Sequence, residues 1–420
     1  MESIIQNEVF LTVALILLVS KIFSMLFGRI GLPQILGPIF AGIVIGFMNV
    51  GFMDIADDTK NILEIVGEIG VIFILFIAGM EVDFKEIKST GAASFAVAAA
   101  ASLVPIAGCF LLCFLFRGTI GTDPMTYLFF GIATATSISI TISVLREMNL
   151  LHGKLGTILS SAAIIDSVIG LFLLALVLGG GNHGNAVIPI DGGIIEVAVS
   201  VVLFFAAAIL IGYVLRLIFK QLAKKYDKRR RIFSLVLCFL FAYASDRFFG
   251  VSHIIGAFCA GVVISNISIT KHVEDSVDNM NHLFFAPVFF AYIGIKYNLI
   301  GFDVGKLLFG LLFVVVAMLT KAIGCGAGAR LFKMNNRQAA FIGTGMMSCG
   351  EVVVIIAAKG VNAGIAGVGD WFMPYAILLV IVTSVMTPIF MKLLNRKNDI
   401  EPALHNLMTD KPLMTLHTDK

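Results

Sequence analysis

Apolar stretches long enough to cross a membrane follow one another along almost the whole chain, and this pattern excludes most other folds. A helix needs roughly 17–25 mostly apolar residues to span a hydrocarbon layer about 30 Å thick. The composition agrees, because 59% of the 420 residues are hydrophobic and 14% are charged, whereas soluble domains carry about 25% charged residues. The sequence therefore predicts an all-α polytopic membrane protein that uses nearly the whole chain.

About thirteen apolar windows between polar loops qualify as membrane spans, and the second and ninth are the shortest. Their predicted positions are 8–27, 33–49, 62–81, 91–116, 124–145, 155–179, 194–219, 231–249, 253–266, 282–299, 306–329, 338–358 and 372–394.

Positive charges divide the loops into two sets. Lys and Arg residues collect in the odd-numbered loops, for example at Arg29, Arg146 and Arg330, and the net charge of +3 does not indicate a nucleic-acid surface. Because cytoplasmic loops carry the excess of Lys and Arg, we expect the N-terminus outside and a short tail, 397–420, in the cytoplasm. The strongest basic stretch, 224–231, favours a lipid-facing anchor over a regulatory role.

A long seventh span, 194–219, can join two halves that contain equal, even numbers of helices. Such a linker inverts the second half relative to the first, as in many secondary transporters. The fifth and twelfth spans carry segments rich in small and hydroxyl residues at 134–139 and 343–350. We interpret both as helix breaks whose oxygens can replace part of a cation's water shell; close helix packing through small residues is the alternative.

Three ionisable residues lie at membrane depth, where such side chains usually mark an ion path or proton relay. They are Asp166 in the sixth span, Lys321 in the eleventh and Glu351 in the twelfth. A pair between Asp166 and Lys321 would reduce a desolvation cost that neither could bear alone, and an arriving cation could displace the lysine and release its proton. A static pair that only fixes helix packing is the alternative.

Other polar and sulfur-containing residues give weaker signals. Glu81 and Asp83 follow the third span, where a solvated loop is favoured over a rim or gate. The six cysteines lie in apolar stretches without a C-x-x-C pair, which predicts packing rather than a metal site or disulfides. The loops lack a nucleophile–base motif, a phosphate-cradling loop and metal-ligand spacing, so we expect neither an enzyme nor a cofactor.

Six segments occur in a recognisable order and spacing, at residues 31–37, 75–81, 134–137, 256–261, 284–294 and 350–352. Together they resemble the monovalent cation/proton antiporters, in particular the second cation/proton antiporter family, with a membrane domain like that of sodium/hydrogen exchangers. The likeness covers almost the whole chain.

The resemblance implies an inverted-repeat antiporter fold over residues 1–396. Dimer-domain helices would lie within 1–90 and 230–300, core-domain helices within 91–180 and 305–396, and the linker helix at 194–219. It further implies a homodimer that exchanges Na⁺ or K⁺ for protons by an elevator-like movement of the core. The lack of a cytosolic domain favours a bacterial inner membrane.

The resemblance also assigns site residues. Asp166 and Lys321 match the positions of the family's proton-coupling pair. The positions that line the ion are matched by Thr134, Thr136, Ser137 and Glu351.

Two departures from the family's pattern affect the expected site. Ser167 follows Asp166 where many sodium/proton members carry a second, ion-binding acid, and residues 348–349 lack the proline and arginine that commonly precede Gly-Glu. One acid fewer should alter ion choice or the number of protons exchanged, and Asp166 would then hold the cation with Ser167 and Thr136. The alternatives are an uncoupled or different-solute transporter on the same fold, or a membrane component that transports nothing.

Overall fold

The computed structural model describes residues 2–29, 32, 34–49, 55–151, 153–178, 194–222, 227–265, 270–296, 304–364 and 372–395. In these ranges the regular structure is helical, and the one β-type pairing is an isolated bridge between Thr136 and Cys349. The predicted all-α class is confirmed. The predicted tail, 397–420, and residues 224–226 of the basic stretch lie outside the described ranges.

The described helices begin and end at defined residues along the chain. They are α1 (Glu2–Arg29), α2 (Leu36–Asn49), α3 (Asp57–Met80), α4 (Phe84–Leu115), α5 (Arg117–Ile120), α6 (Pro124–Ile132), α7 (Ile138–Glu147), α8 (Lys154–Leu178), α9 (Ile194–Leu222), α10 (Asp227–Phe249), α11 (His253–Ser265), α12 (Thr270–Met280), α13 (Ala286–Lys296), α14 (Val304–Arg330), α15 (Asn336–Gly345), α16 (Glu351–Asn362) and α17 (Phe372–Leu394). A π-helical turn, Asn281–Phe285, joins α12 to α13.

Seven of the described helices are long and apolar enough to cross a membrane by length and composition: α1, α3, α4, α8, α10, α14 and α17. Shorter apolar helical stretches cover Leu36–Phe47, Val199–Gly212 and His253–Ser265. Large apolar side chains face outward, among them Phe10, Leu115 and Ile209, which are 71%, 69% and 73% exposed. Such a surface suits hydrocarbon rather than water, as expected for a multi-pass membrane protein. The total of thirteen spans stays a prediction.

Two helix pairs are interrupted where the sequence predicts breaks. Helices α6 and α7 are separated by residues 133–137, and α15 and α16 by residues 346–350. The Thr134 hydroxyl donates to the Gly131 carbonyl at 2.7 Å, a local bond that competes with helix continuation. The two breaks pair with each other, because the Ser137 amide donates to the Ser348 carbonyl at 2.7 Å. This pairing satisfies backbone groups that no water would satisfy at membrane depth.

The helices pack as two groups. Helices α1, α2, α3, α10, α11, α12 and α13 contact one another and are here called the α3 group. Helices α4, α6, α7, α8, α14, α15, α16 and α17 form the α4 group. Helix α9 contacts α11 in one group and α8 in the other. The predicted division into a dimer domain, a linker helix and a mobile core stays a prediction.

Helices α3 and α11 approach closely through two glycines. A Cβ atom at Gly79 would overlap the carbonyl oxygen of Phe258, and one at Gly261 would overlap that of Phe76. Small residues permit such backbone-to-backbone contact between membrane helices, where van der Waals packing drives association. This crossing fixes the position at which α3 ends, directly before Glu81.

We expect Gly261→Ala to destabilise the protein by about 1–3 kcal/mol, the usual effect of an extra methyl group in a packed interface. Thermal unfolding in detergent measures this, with a thiol-reactive fluorophore reporting exposure of the buried cysteines. Gly46→Ala is the matched control, because its new Cβ would meet the Ile295 Cα at an ordinary 3.4 Å. Equal melting temperatures for both variants would contradict the close α3–α11 crossing.

Candidate ion site at the crossing of two broken helices

A buried ion pair lies beside the crossing of the two breaks. The Lys321 ammonium of α14 lies 3.1 Å from the Oδ2 atom of Asp166 in α8. Asp166 is 2% exposed and Lys321 is 1% exposed. The structure thus brings together the two deepest charges that the sequence singles out.

Three neutral donors complete the surroundings of the Asp166 carboxylate. The Thr136 amide and hydroxyl donate to Oδ2 at 3.0 and 2.6 Å. The Ser102 hydroxyl of α4 donates to Oδ1 at 2.6 Å. Together with Lys321, these donors hold both carboxylate oxygens from three separate chain segments, and such bonding makes a buried charge tolerable.

Thr136 connects the lysine to the carboxylate. Lys321 Nζ donates to the Thr136 hydroxyl oxygen as well as to Asp166 directly. A threonine hydroxyl has one proton, which here is shared between Asp166 Oδ2 at 2.6 Å and the Met346 carbonyl at 3.1 Å. A cation that displaces Lys321 therefore changes the hydrogen bonds of Thr136. Because Thr136 also bonds to Met346, the change extends to the α15–α16 break.

Hydroxyl groups also join the two breaks directly. The Ser348 hydroxyl donates to the Ser137 carbonyl at 3.1 Å and lies 2.7 Å from the Thr141 hydroxyl. The Cys349 amide donates to the Thr383 hydroxyl of α17 at 3.1 Å. Helices α7 and α16 begin at this crossing, while α6 and α15 end there, so amide and carbonyl ends of helix dipoles meet in one place.

The remaining predicted site residues occupy different positions around the pair. The Ser167 hydroxyl donates to the Ala163 carbonyl at 3.0 Å and the Thr136 carbonyl at 3.3 Å, so its oxygen lies close to Thr136. The Thr134 hydroxyl is bonded within its own turn. The Ser137 Oγ atom is buried without a hydrogen-bond partner among the described residues and packs against Gly350.

Glu351 lies away from the sealed pair, on the wall of a cavity of about 880 Å³ between the α3 and α4 groups. Its side chain is half-buried and accepts a hydrogen bond from the Ser139 hydroxyl at 3.3 Å. Ser139 lines the same cavity. Glu351 and Ser139 line the cavity from the α4 group, near the crossing, whereas Asp166 is not among the lining residues.

Glu81 also lines this cavity, from the α3 group, which corrects the prediction of a solvated loop. The side chain is half-buried, because α11 and α12 pack against the end of α3. Burial, together with repulsion from Glu351, Glu274 and Asp278, raises the pKa of Glu81 to about 8, although Arg146 opposes the shift. The polarity of the local sequence does not indicate that distant helices bury part of the Glu81 side chain.

An ion pair and two hydrogen bonds connect the two groups where the first half of α3 meets the end of α16, and the sequence analysis does not predict them. Lys359 lies 2.8 Å from Glu68 and 3.2 Å from His253 Nε2. Lys296 lies 3.0 Å from Glu64 and 3.1 Å from the Asn362 side-chain oxygen. Glu64 and Glu68 lie four residues apart and so share one face of α3. Two acids on one face of an apolar helix are a sequence signal for cationic partners on a neighbouring element.

Comparison with known proteins agrees with this geometry. A family model described as sodium/hydrogen exchanger, transmembrane, matches residues 14–395. The chain belongs to this family. It is 33% identical over 389 residues to the Na(+)/H(+)-K(+) antiporter GerN of Bacillus cereus, covering 92% of this chain and 96% of that protein. It is 28% identical over 394 residues to a Na(+)/H(+) antiporter of Enterococcus hirae, covering 91% and 97%.

The fold of the exchanger is also found in a solved structure. The sodium proton antiporter MjNhaP1 from Methanocaldococcus jannaschii superimposes with a TM-score of 0.70 at 16% identity, covering 94% of this chain and 99% of that one. The predicted resemblance to monovalent cation/proton antiporters and the predicted antiporter fold are both confirmed. The roles of the individual site residues in this exchanger stay predictions.

The buried pair should be mutually dependent. We expect Lys321→Met to destabilise the exchanger by about 3–5 kcal/mol, because it leaves a buried carboxylate without its counter-charge. The double variant with Asp166→Asn should melt at a higher temperature than Lys321→Met alone, since the unpaired charge is then removed as well. Melting temperatures in detergent test this, and additive effects of the two substitutions would argue against direct pairing.

Proposed function

We propose that this exchanger is a secondary active transporter that moves Na⁺ or K⁺ across the membrane in exchange for protons. The observation that supports this best is the sealed Asp166–Lys321 pair, held through Thr136 at the crossing of two broken helices. Two relatives are known as a Na(+)/H(+)-K(+) antiporter and a Na(+)/H(+) antiporter, which agrees with this substrate class.

In this proposal the cation and the Lys321 ammonium compete for Asp166 Oδ2. A cation that arrives at the carboxylate can take oxygen ligands from Asp166, Thr136 and Ser167, whose hydroxyl oxygen lies 3.3 Å from the Thr136 carbonyl. Lys321 then leaves the carboxylate and releases a proton as a neutral amine. Thr134, Ser137 and Glu351 line the surrounding region rather than bind in this first step.

The charge of the site leads to an expected stoichiometry. One carboxylate and one ammonium give a net charge of zero at the buried pair. Exchange of the ammonium proton for one cation keeps that charge at zero, which avoids a large desolvation penalty in either state. We therefore infer exchange of one cation for one proton, which would be electrically neutral.

Alternating access by an elevator-like movement is the mechanism that this arrangement supports. A cavity of about 880 Å³ separates the two groups near Glu81, while one ion pair, between Lys359 and Glu68, joins them nearer the other end of α3. The excess of Lys and Arg in the odd-numbered loops supports a cytoplasmic position for the Glu81 end, with the N-terminus outside and the C-terminus inside. A homodimer, formed through the α3 group, completes the proposal.

Exchange is tested with inverted membrane vesicles or proteoliposomes that hold a pH gradient, monitored with a pH-sensitive dye. Addition of Na⁺, Li⁺ or K⁺ should collapse the gradient in wild-type protein, and Asp166→Asn should abolish the response, because no carboxylate remains for the cation. Glu147→Gln is the control, since it removes an exposed carboxylate that pairs with Lys392 outside the cavity.

Two results would contradict parts of this proposal. A full response in folded Asp166→Asn protein would remove Asp166 from the mechanism. Cation flux without proton movement in the wild type would favour an uncoupled or different-solute transporter. This alternative follows from the presence of Ser167, instead of a second acid, directly after Asp166.

The end at which Lys359 pairs with Glu68, here called the closed end, allows a test of movement between the α3 and α4 groups. In a double variant, Glu68→Cys with Lys359→Cys, a bifunctional methanethiosulfonate reagent should join α3 to α16 and stop exchange, and a reductant should restore it. The native cysteines of the described chain are all buried, so labelling should fall on the introduced pair. Exchange that continues at the full rate after complete cross-linking would show that this end need not open.

A further inference from the structure

A histidine at the closed end connects the α3 group to a lysine of the α4 group. His253 begins α11, and its Nε2 atom lies 3.2 Å from the Lys359 ammonium of α16. The same ammonium lies 2.8 Å from Glu68 of α3. Alternating access, as proposed above, depends on the contact between Lys359 and Glu68, but it assigns no role to His253.

The contact with Lys359 determines the protonation state of His253. An ammonium group has three N–H donors and no acceptor, so Lys359 can only donate to the imidazole. The ion pair with Glu68 keeps Lys359 in its charged form. His253 Nε2 therefore accepts, and the imidazole is neutral with its proton on Nδ1. A proton on Nε2 would replace this hydrogen bond with two like charges 3.2 Å apart.

Charged groups of three neighbouring helices face His253. Glu68 of α3 and Asp246 of α10 favour a second proton on the imidazole, and Lys359 of α16 opposes it. Acid conditions therefore produce a competition for Glu68, because a protonated His253 and the Lys359 ammonium both carry a positive charge. His253 and Glu68 belong to the α3 group, whereas Lys359 belongs to the α4 group. Protonation of His253 thus weakens a contact between the groups and strengthens attraction within the α3 group.

A second contact at the closed end lacks this sensitivity. Lys296 of α13 lies 3.0 Å from Glu64 and 3.1 Å from the side-chain oxygen of Asn362 in α16. Its charge also acts on Glu68. Asn362 carries no titratable group, so the hydrogen bond from Lys296 to α16 does not respond to acid. The response to acid is therefore concentrated at Lys359.

We propose that His253 is a positioning residue that makes the closed end sensitive to protons. In its neutral form it holds Lys359 against the α3 group, together with Glu68. In its protonated form it repels Lys359 and pairs with Glu68 instead, so α16 is released from α3 and the closed end opens. The role rests on the proposed exchange and topology, in which this end faces outward and a proton from the outer medium favours the outward-open state.

Ala358 provides a position at which opening can be measured. It is 5% exposed, precedes Lys359 on α16 and lines a small cavity together with Glu68 and Phe289 of the α3 group. A cysteine adds only a sulfur atom to alanine, and the native cysteines of the described chain are all buried. A thiol at position 358 should therefore react with a water-soluble reagent when the closed end opens.

The test measures the labelling rate of Ala358→Cys protein in detergent with a water-soluble pyridyl disulfide, which reacts with thiols at acid as well as neutral pH. His253→Gln is the decisive second substitution, because its amide oxygen can accept from Lys359 but cannot be protonated. At pH 7.5 the proteins with and without His253→Gln should label at equal rates. At pH 5 the protein with native His253 should label about tenfold faster, since repulsion between adjacent like charges shifts an equilibrium by about that factor.

His282→Gln in the Ala358→Cys protein is the matched control. His282 lines the cavity at the other end of α3, and its Nε2 atom lies 3.5 Å from Asp278. This variant should keep the acid-dependent acceleration. Gel filtration and thermal unfolding establish that each variant is folded, and His253→Asn supplies a second neutral acceptor where His253→Gln does not fold.

Separate outcomes would overturn the role of His253 and the exchange proposal. Equal acceleration at pH 5 with and without His253→Gln would assign the response to Glu68 and refute the role of His253, even where exchange by the wild type proceeds. The absence of any acceleration in folded protein would refute it as well. Acceleration that His253→Gln abolishes, in a wild type without cation-driven proton movement, would support the role of His253 and refute the exchange.

Discussion

A carboxylate buried at membrane depth determines the architecture around it. Asp166 needs donors that an intact helix cannot offer, because helical amides are already bonded within the helix. Unwinding between α6 and α7 frees the Thr136 amide, which donates to Asp166 at 3.0 Å. The break at Thr136 is therefore a structural requirement of the buried charge, as well as a feature suited to binding a cation.

Each break depends on the other for its own stability. The freed backbone groups near Ser137 are satisfied by Ser348, and those near Cys349 by Thr383 in α17. Close packing keeps the parts in place: a Cβ atom at Gly343 would overlap the Ala322 carbonyl oxygen, next to Lys321. The glycine lets α15 lie against α14 at the depth of the lysine, so the ion pair and the crossing are one packed unit.

Membrane depth explains which parts of the site the sequence could predict. Asp166 and Lys321 could be found because few arrangements tolerate such charges in hydrocarbon. Ser102 could not, since a serine in an apolar helix carries no comparable penalty and its role is set by the packing of α4 on α8. The sequence around Glu81 predicts a solvated loop, because the elements that cover this side chain are distant along the chain and local polarity does not indicate them.

The two kinds of ion pair differ in how readily they can be exchanged. Lys359 and Glu68 are 13% and 44% exposed at their side chains, so water can reach this pair when its partners separate. Asp166 and Lys321 are almost fully buried, so separating them without replacement is far more costly. If the groups move against each other, the pairs at the closed end can break and re-form in water, while the central pair travels intact or with a cation in place of the lysine. The sequence thus places weak ionic contacts between the groups and the strong one inside the α4 group, the arrangement that a moving unit requires.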